Sequence, residues 1–452
     1  MNNQNNRPEF SRRQFITTSS VMAAGVGALS QVPFVHVARA AAAEMEIKIG
    51  LVGCGGRGTG AALNAMGAAT KVIYPSAGYH TEDPQANAKI ARPNIKVVAL
   101  ADVFEDRLTT CKTRLEKVGC NIGQDRCFVG FEAYKQLMAV PEVNYVILAT
   151  PPHFRAVQVM AAVEAGKHVF IEKPVAVDVP GVKLVMAAAA LATQKKIGIA
   201  AGTQRRHQKS YIETIKRLKD GAIGEIMYAR CYWNGGQIWV IQRKEGWSDV
   251  EWQLRNWNYF TWLSGDHYVE QHVHNLDIMN WVLGTHPIRA VAAVGGRQVR
   301  TAPVYGQVFD HFGVEYEYPG GIHMFSQARQ IDNTDYNVGE AVVGTQGFSN
   351  CDNFIQPKGG AGWKYQGENP NPYEQEHLDL IASIGEGKPI NDAQAIAEST
   401  MTGILGREAA YSGKTITWDD AMKSTTRLGP EKYELGSCPV VPVALPGIYK
   451  PL

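Results

Sequence analysis

Residues 46–58 read EIKIGLVGCGGRG, and this stretch decides the fold. Ile47, Ile49, Leu51 and Val52 make a short apolar run that predicts a buried strand. Gly53-Cys54-Gly55-Gly56-Arg57-Gly58 follows, a G-x-G-x-x-G at a strand-to-helix turn, and GTGAALNAMG (58–67) continues as a helix. Gly53 permits the tight turn, Gly55 lets the backbone approach a pyrophosphate, and Gly58 lets the helix sit against the strand. Gly56 and Arg57 complete a loop whose free N–H groups face the phosphates.

Working outward, IKVVALADV (95–103) reads as the second parallel strand. Asp102 at its end places a carboxylate for the adenosine ribose hydroxyls, which favours NAD over NADP because a 2′-phosphate is repelled. Residues 67–94 read as an inserted loop with Pro and Gly punctuation. VNYVILATPP (143–152), the helix HFRAVQVMAAVEAG and the strand KHVFIEKP restore the alternation of strand and helix. The expected fold class is therefore α/β, a doubly wound parallel sheet whose strand ends open on one crevice.

A chain of 452 residues is too long for one ordinary core, so two domains are expected. With 45% apolar and 19% charged residues it reads as a soluble globular enzyme. A net charge of +2 gives no electrostatic case for nucleic acid. The start, SRRQFITTSSVMAAGVGALSQVPFVHVARA, has the look of a twin-arginine export signal, with Ala38-Arg39-Ala40 as a cleavage site. That predicts a periplasmic or extracellular protein that meets the twin-arginine translocase while folded. The seven cysteines include no C-x-x-C pair, which argues against a zinc ribbon. Cys111, Cys120 and Cys127 are close enough for a disulfide, and free thiols are the equal alternative.

The ATPPH…EAGKHVFIEKP region, with Thr150-Pro151-Pro152 and Glu172-Lys173-Pro174, resembles the glucose–fructose oxidoreductase, inositol dehydrogenase and MocA family. The resemblance runs over roughly residues 46 to 420. It implies a C-terminal α+β domain with a large, mostly antiparallel sheet, whose open face builds a dimer or tetramer. The expected boundaries are a signal and linker over 1–43, a Rossmann domain over 44–175, an α+β domain over 176–423 and a Pro-rich tail over 424–452. The resemblance also places Lys173 beside the nicotinamide and the substrate hydroxyl, where its charge stabilises a developing alkoxide. Thr150, Pro151, Glu172 and Gln204 join the cofactor contacts, and Arg205 approaches the substrate. Relatives carry a histidine where this chain has Arg155, so His153, two residues away, is the candidate contact from that helix.

The family pattern D-x-G-x-H falls on VEQHVHNLD (269–277). Glu270 takes the aspartate slot, His272 the glycine slot and His274 the histidine, with Asp277 as a later carboxylate. That alignment makes His274 the general base and Asp277 its orienter or a further hydroxyl contact. HNLDIMNWVL has helical spacing, so the segment leads into a helix. Were 270–274 extended instead, Glu270, His272 and His274 would share a face and suit a divalent metal. The primary expectation is no metal. Seven of the nine tryptophans fall between 233 and 281. Trp252 and Trp257, beside Arg255, are the candidate sugar platform, and His272 is a further substrate candidate. Together these features predict an exported NAD-dependent oxidoreductase for a sugar, glycoside or polyol hydroxyl, holding its cofactor tightly. The alternative is a redox-assisted or metal-dependent hydrolase or lyase acting on keto-sugars.

Overall fold

The computed structural model describes residues 45–73 and 81–451. The expected leader over 1–43 lies outside the described residues, as do residues 74–80 of the insertion.

The strand read from the first stretch is β1 (Ile47–Val52), and helix α1 (Gly56–Met66) follows the glycine turn. The insertion carries a two-stranded antiparallel ribbon, β2 (Thr70–Ile73) with β3 (Thr81–Pro84). The expected loop is thus partly sheet. Then come β4 (Ile95–Asp102), α2 (Glu105–Glu116), β5 (Cys127–Val129), β6 (Tyr145–Leu148), α3 (Pro152–Glu164), β7 (His168–Ile171), α4 (Val179–Lys195) and β8 (Ile199–Ala201). The order β5-β4-β1-β6-β7-β8 is parallel throughout and reverses direction of winding at β1. β1 and β6 are buried on both faces, as a helix-covered parallel sheet requires. β8 and α4 complete this sheet beyond the expected boundary at 175.

The second unit is a nine-stranded sheet. Its strands are β9 (Ile226–Gly235), β10 (Arg289–Gly296), β11 (His311–Tyr318), β12 (Ile322–Gln330), β13 (Asn337–Gly344), β14 (Gly347–Ser349), β15 (Phe354–Pro357), β16 (Trp363–Lys364) and β17 (Ile416–Thr417). All pairings are antiparallel except β12 with β9, so the expected mostly antiparallel sheet is present. One face packs on α5 (Val273–Leu283) and α7 (Ala393–Ser412), while α6 (Pro372–Gly385) packs on the first domain. Alternation along β11 and β12 sends Phe312, Val314, Tyr316, Met324 and Ala328 into that core.

Buried Arg407 on α7 pairs with Glu408 and donates to the carbonyls of Val177 and Gly265. It thereby ties the loop between β7 and α4 to the second domain. The tail after 424 has no regular structure and runs over the surface: Leu428 N–H donates to Asp178 and Cys438 N–H to Asp249. All seven cysteines are free thiols. Among the described residues no helix is long and apolar enough to cross a membrane.

Candidate functional site

A cavity of about 1010 Å³ opens at the C-terminal ends of the parallel strands and is closed on its far side by the second domain. Gly53, Gly55, Gly56, Arg57, Asp102, Thr150, Pro151, Glu172, Lys173, Gln204, Trp257, Glu270 and His274 all line it. Gly58 lies behind the turn, where it was expected to act through packing.

Steric facts explain the glycines. Gly53 has φ +94°, and a Cβ there would meet the backbone of Ala149 and Thr150 at 2.6 Å. A Cβ on Gly58 would lie 1.9 Å from the Gly53 carbonyl oxygen. Gly55 instead looks onto open space, its nearest neighbour an Arg107 nitrogen at 3.8 Å. A smooth backbone saddle beside a helix N-terminus fits a pyrophosphate. Asp102 accepts the Cys54 N–H at 2.7 Å and the Phe104 N–H at 2.8 Å. Burial pushes its carboxyl pKa up, against the pull of Arg107 and these two N–H groups. The carboxylate keeps further lone pairs for ribose hydroxyls. The residues present therefore fit NAD.

At the other end Lys173 Nζ donates to the Glu270 carbonyl at 2.7 Å and to its Oε1 at 2.8 Å. Glu172 accepts Arg57 Nε at 2.5 Å. Burial opposes the charge on Glu172, but Arg57, Arg155 and Lys173 hold its carboxyl below the ordinary range. Arg57 is accordingly paired along the wall. Arg155 donates to the Thr150 carbonyl at 2.8 Å and the Pro174 carbonyl at 2.7 Å, stapling the two strand ends together. Burial lowers its pKa to about 10, with Glu172 and Glu270 opposing.

His274 stacks on Trp233, with ring centroids 5.8 Å apart at 21°. Burial holds its imidazole well below 6.5, and Lys173, Arg205 and Arg57 push the same way. It is neutral at physiological pH and has a lone pair to offer.

Several expected contacts fall elsewhere. His153 does not line the cavity; it faces Tyr433 of the tail at 2.8 Å and packs edge-on against Trp262. Asp277 is one turn beyond His274 but takes both Nε and Nη2 of Arg206, at 2.7 and 2.9 Å, so it does not orient the imidazole. Arg205 pairs with Glu340 and lies over Trp233, backing the aromatic wall instead of entering it. Arg255 pairs with Asp106 and Glu251 and covers Phe104. Trp252 is core, its Nε1 donating to the Ile241 carbonyl at 2.9 Å. His272 is fully buried, 2.6 Å from Ser326 Oγ, and burial holds it down to about 3.

The metal alternative fails on geometry. Residues 267–270 and 273–283 are helical; Glu270 and His274 both line the cavity, while His272 turns away into the core to meet Ser326, so the three share no face. Among the described residues no group of three His, Cys, Asp or Glu side chains is gathered to hold a metal. The sequence reading missed Trp233, Trp239, Phe104, Arg107 and Gln271, all of which line the cavity. For Trp233 a signal existed: it continues the inward alternation of Ala229 and Cys231 on β9.

Comparison with known proteins bears on this architecture. Residues 47–199 match the model described as oxidoreductase family, NAD-binding Rossmann fold, and 211–349 match the GFO/IDH/MocA C-terminal domain. The 2,7-anhydro-N-acetylneuraminate hydratase of Escherichia coli K12 is 28% identical over 45% of this chain and 50% of its own length. This chain thus spans about half of that relative. The scyllo-inositol 2-dehydrogenase (NAD(+)) of Bacillus subtilis 168 is 24% identical over 60% of this chain and 68% of its own. In fold, the aldose–aldose oxidoreductase of Caulobacter crescentus superposes with a TM-score of 0.60 at 18% identity, covering 82% of this chain and 99% of that one. The glycine turn, the Lys173 strand end and the paired domain models together make this chain a member of the Gfo/Idh/MocA oxidoreductase family, with an NAD-binding Rossmann domain at its N-terminal side.

Proposed function

We propose that the protein is an exported oxidoreductase that uses tightly held NAD to oxidise a hydroxyl-bearing carbon of a sugar, glycoside or polyol. One observation carries the reading: Lys173 and His274, 101 positions apart in sequence, line the cavity that begins at the glycine turn. NAD, when bound, accepts the hydride. Lys173 presents its ammonium to the substrate oxygen, where positive charge favours the alkoxide. Glu270 fixes that ammonium through its carbonyl and carboxylate. His274, kept neutral by burial, takes the hydroxyl proton. Trp233, Trp239 and Trp257 give apolar faces for a sugar ring, Trp239 meeting Trp257 edge-on with ring centroids 6.0 Å apart.

Tight holding follows from compartment: a protein exported folded through the twin-arginine translocase takes its dinucleotide with it. The outer face of the nine-stranded sheet exposes Phe325, Val343, Phe348 and Val294, an apolar surface suited to a dimer or tetramer. A second reading, redox-assisted elimination or hydrolysis with no net oxidation, is favoured by the hydratase among the relatives. Mass analysis of the supernatant from freshly denatured full-length protein tests the main reading. A stoichiometric nicotinamide dinucleotide supports it, and absence of any, with none bound on addition, ends it. Net NADH formed per sugar consumed separates oxidation from the redox-neutral alternative.

A further inference from the structure

Gln271 follows Glu270 and lines the same cavity. Its side-chain oxygen accepts a hydrogen bond from Gln330 Nε2, and Gln330 Oε1 accepts one from Arg300 Nη1. Arg300 and Gln330 are only 3% and 2% exposed, and Arg300 is anchored by a second bond, 2.7 Å, to the Phe309 carbonyl.

The direction of this relay is fixed by chemistry. A guanidinium only donates, so the end of Gln330 that meets it is the oxygen. The other end of Gln330 is therefore its nitrogen, and the atom of Gln271 that meets that nitrogen is oxygen. What remains is the Gln271 amide nitrogen, with two N–H groups and no protein partner among the described residues. Nearby, Glu270 and neutral His274 accept hydrogen bonds. The cavity thus carries acceptors for hydroxyl protons and, besides the Lys173 ammonium, an amide donor of fixed polarity at Gln271.

We propose that Gln271 is a specificity-determining residue whose amide donates to an acceptor oxygen of the bound sugar or polyol, with Gln330 as the positioning residue that sets its polarity. This deepens the reading of the cavity as a carbohydrate site and rests on it. Polarity gives an unusual test. Gln330→Glu keeps an acceptor for Arg300 but offers no donor to Gln271, so the Gln271 amide turns over and aims oxygen at the substrate. Gln271→Glu puts an acceptor there directly. The two variants should share one phenotype despite lying 59 positions apart.

The experiment uses the full-length NAD-loaded protein, the fluorescence of the cavity tryptophans, and a panel of aldoses, inositols and anhydro-sugars as probes. For the tightest-binding probe, Gln271→Glu, Gln271→Leu and Gln330→Glu each weaken binding about tenfold. NAD affinity stays at the wild-type value in Gln271→Leu, while Tm falls because the buried Gln330 amide loses its acceptor. The double variant Gln271→Leu with Gln330→Glu binds no more weakly than Gln271→Leu alone, since the second residue acts through the first. Additive losses, or unchanged binding in Gln271→Leu, overturn the proposal. If the cycle holds but no probe is ever oxidised, the oxidoreductase reading falls and the role of Gln271 stands. If turnover is seen with an unaltered KM in Gln271→Leu, only the role of Gln271 falls. Absence of binding by any probe to the wild type overturns both.

Discussion

The turn at Gly53–Gly58 and the turn at Glu270–His274 are of similar length and border the same cavity, yet they are built on opposite rules. In the first, the constraints are backbone sterics. Gly58 must clear Gly53, five residues earlier, and Gly53 must clear the end of a neighbouring strand. In the second, consecutive side chains go to unrelated places. Glu270 meets Lys173, Gln271 meets Gln330, His272 meets Ser326, and His274 stacks on Trp233. A steric rule shows in a sequence as glycines at fixed spacing. A rule set by distant partners leaves no spacing to read.

The sharpest break between the two turns is chemical. Lys173→Met removes the positive charge facing the substrate oxygen but leaves the glycine turn intact. Turnover should fall roughly 10²–10³-fold with NAD affinity unchanged, read by NADH formation and by nucleotide titration. A loss of less than about threefold would remove Lys173 from the chemistry. Gly58→Ala tests the other turn. With its Cβ 1.9 Å from a carbonyl oxygen, the turn must open. NAD affinity should drop about 100-fold, the equivalent of roughly 3 kcal/mol, while the second domain stays folded by near-UV circular dichroism.

How much was legible follows the same division. The parallel sheet, the NAD turn and Asp102 were readable because each depends on residues near in sequence. The family pattern located Glu270 and His274 but misassigned their neighbours. His272 and Asp277 carry the residue types of a site, and only tertiary contacts show that one is core and the other serves Arg206. Trp252 and Trp257 are five residues apart with the same chemistry, yet a short helix buries one and leaves the other at the cavity. The expected helix contact at His153 failed because the tail's Tyr433 occupies that ring.

Titration sharpens the comparison next, because the second region depends on buried neutral imidazoles. Burial holds His272 at about 3, His153 at about 4, and His274 and His377 well below 6.5. The folded chain keeps these rings neutral while the unfolded chain protonates them below about pH 6.5. Their folded values are depressed, so stability is full above that pH and is lost as pH falls toward the folded values. One pH unit below it, each ring costs about 1 kcal/mol. Calorimetry should show Tm declining as pH is lowered through this window, and a flat Tm would contradict the burial of these rings. Activity is expected to show no protonation limb near 6.5, because His274 stays neutral there.

The smallest expected effects come from residues that looked like substrate contacts and are not. Arg255 spends its guanidinium on Asp106, Glu251 and the ring of Phe104. Asp106 is largely exposed, so the pair contributes at most about 1 kcal/mol. Arg255→Ala should therefore shift Tm slightly and leave KM for the preferred sugar within about twofold, since no interaction with substrate is lost. Trp257→Ala, two residues further along, removes a cavity wall and should raise KM roughly tenfold. If instead Arg255→Ala raised KM as much as Trp257→Ala, the ion pairs seen here would have to open during binding. The outer rim of the site would then belong with the Glu270–His274 turn, assembled by partners that change, and no longer with the fixed wall around the nucleotide.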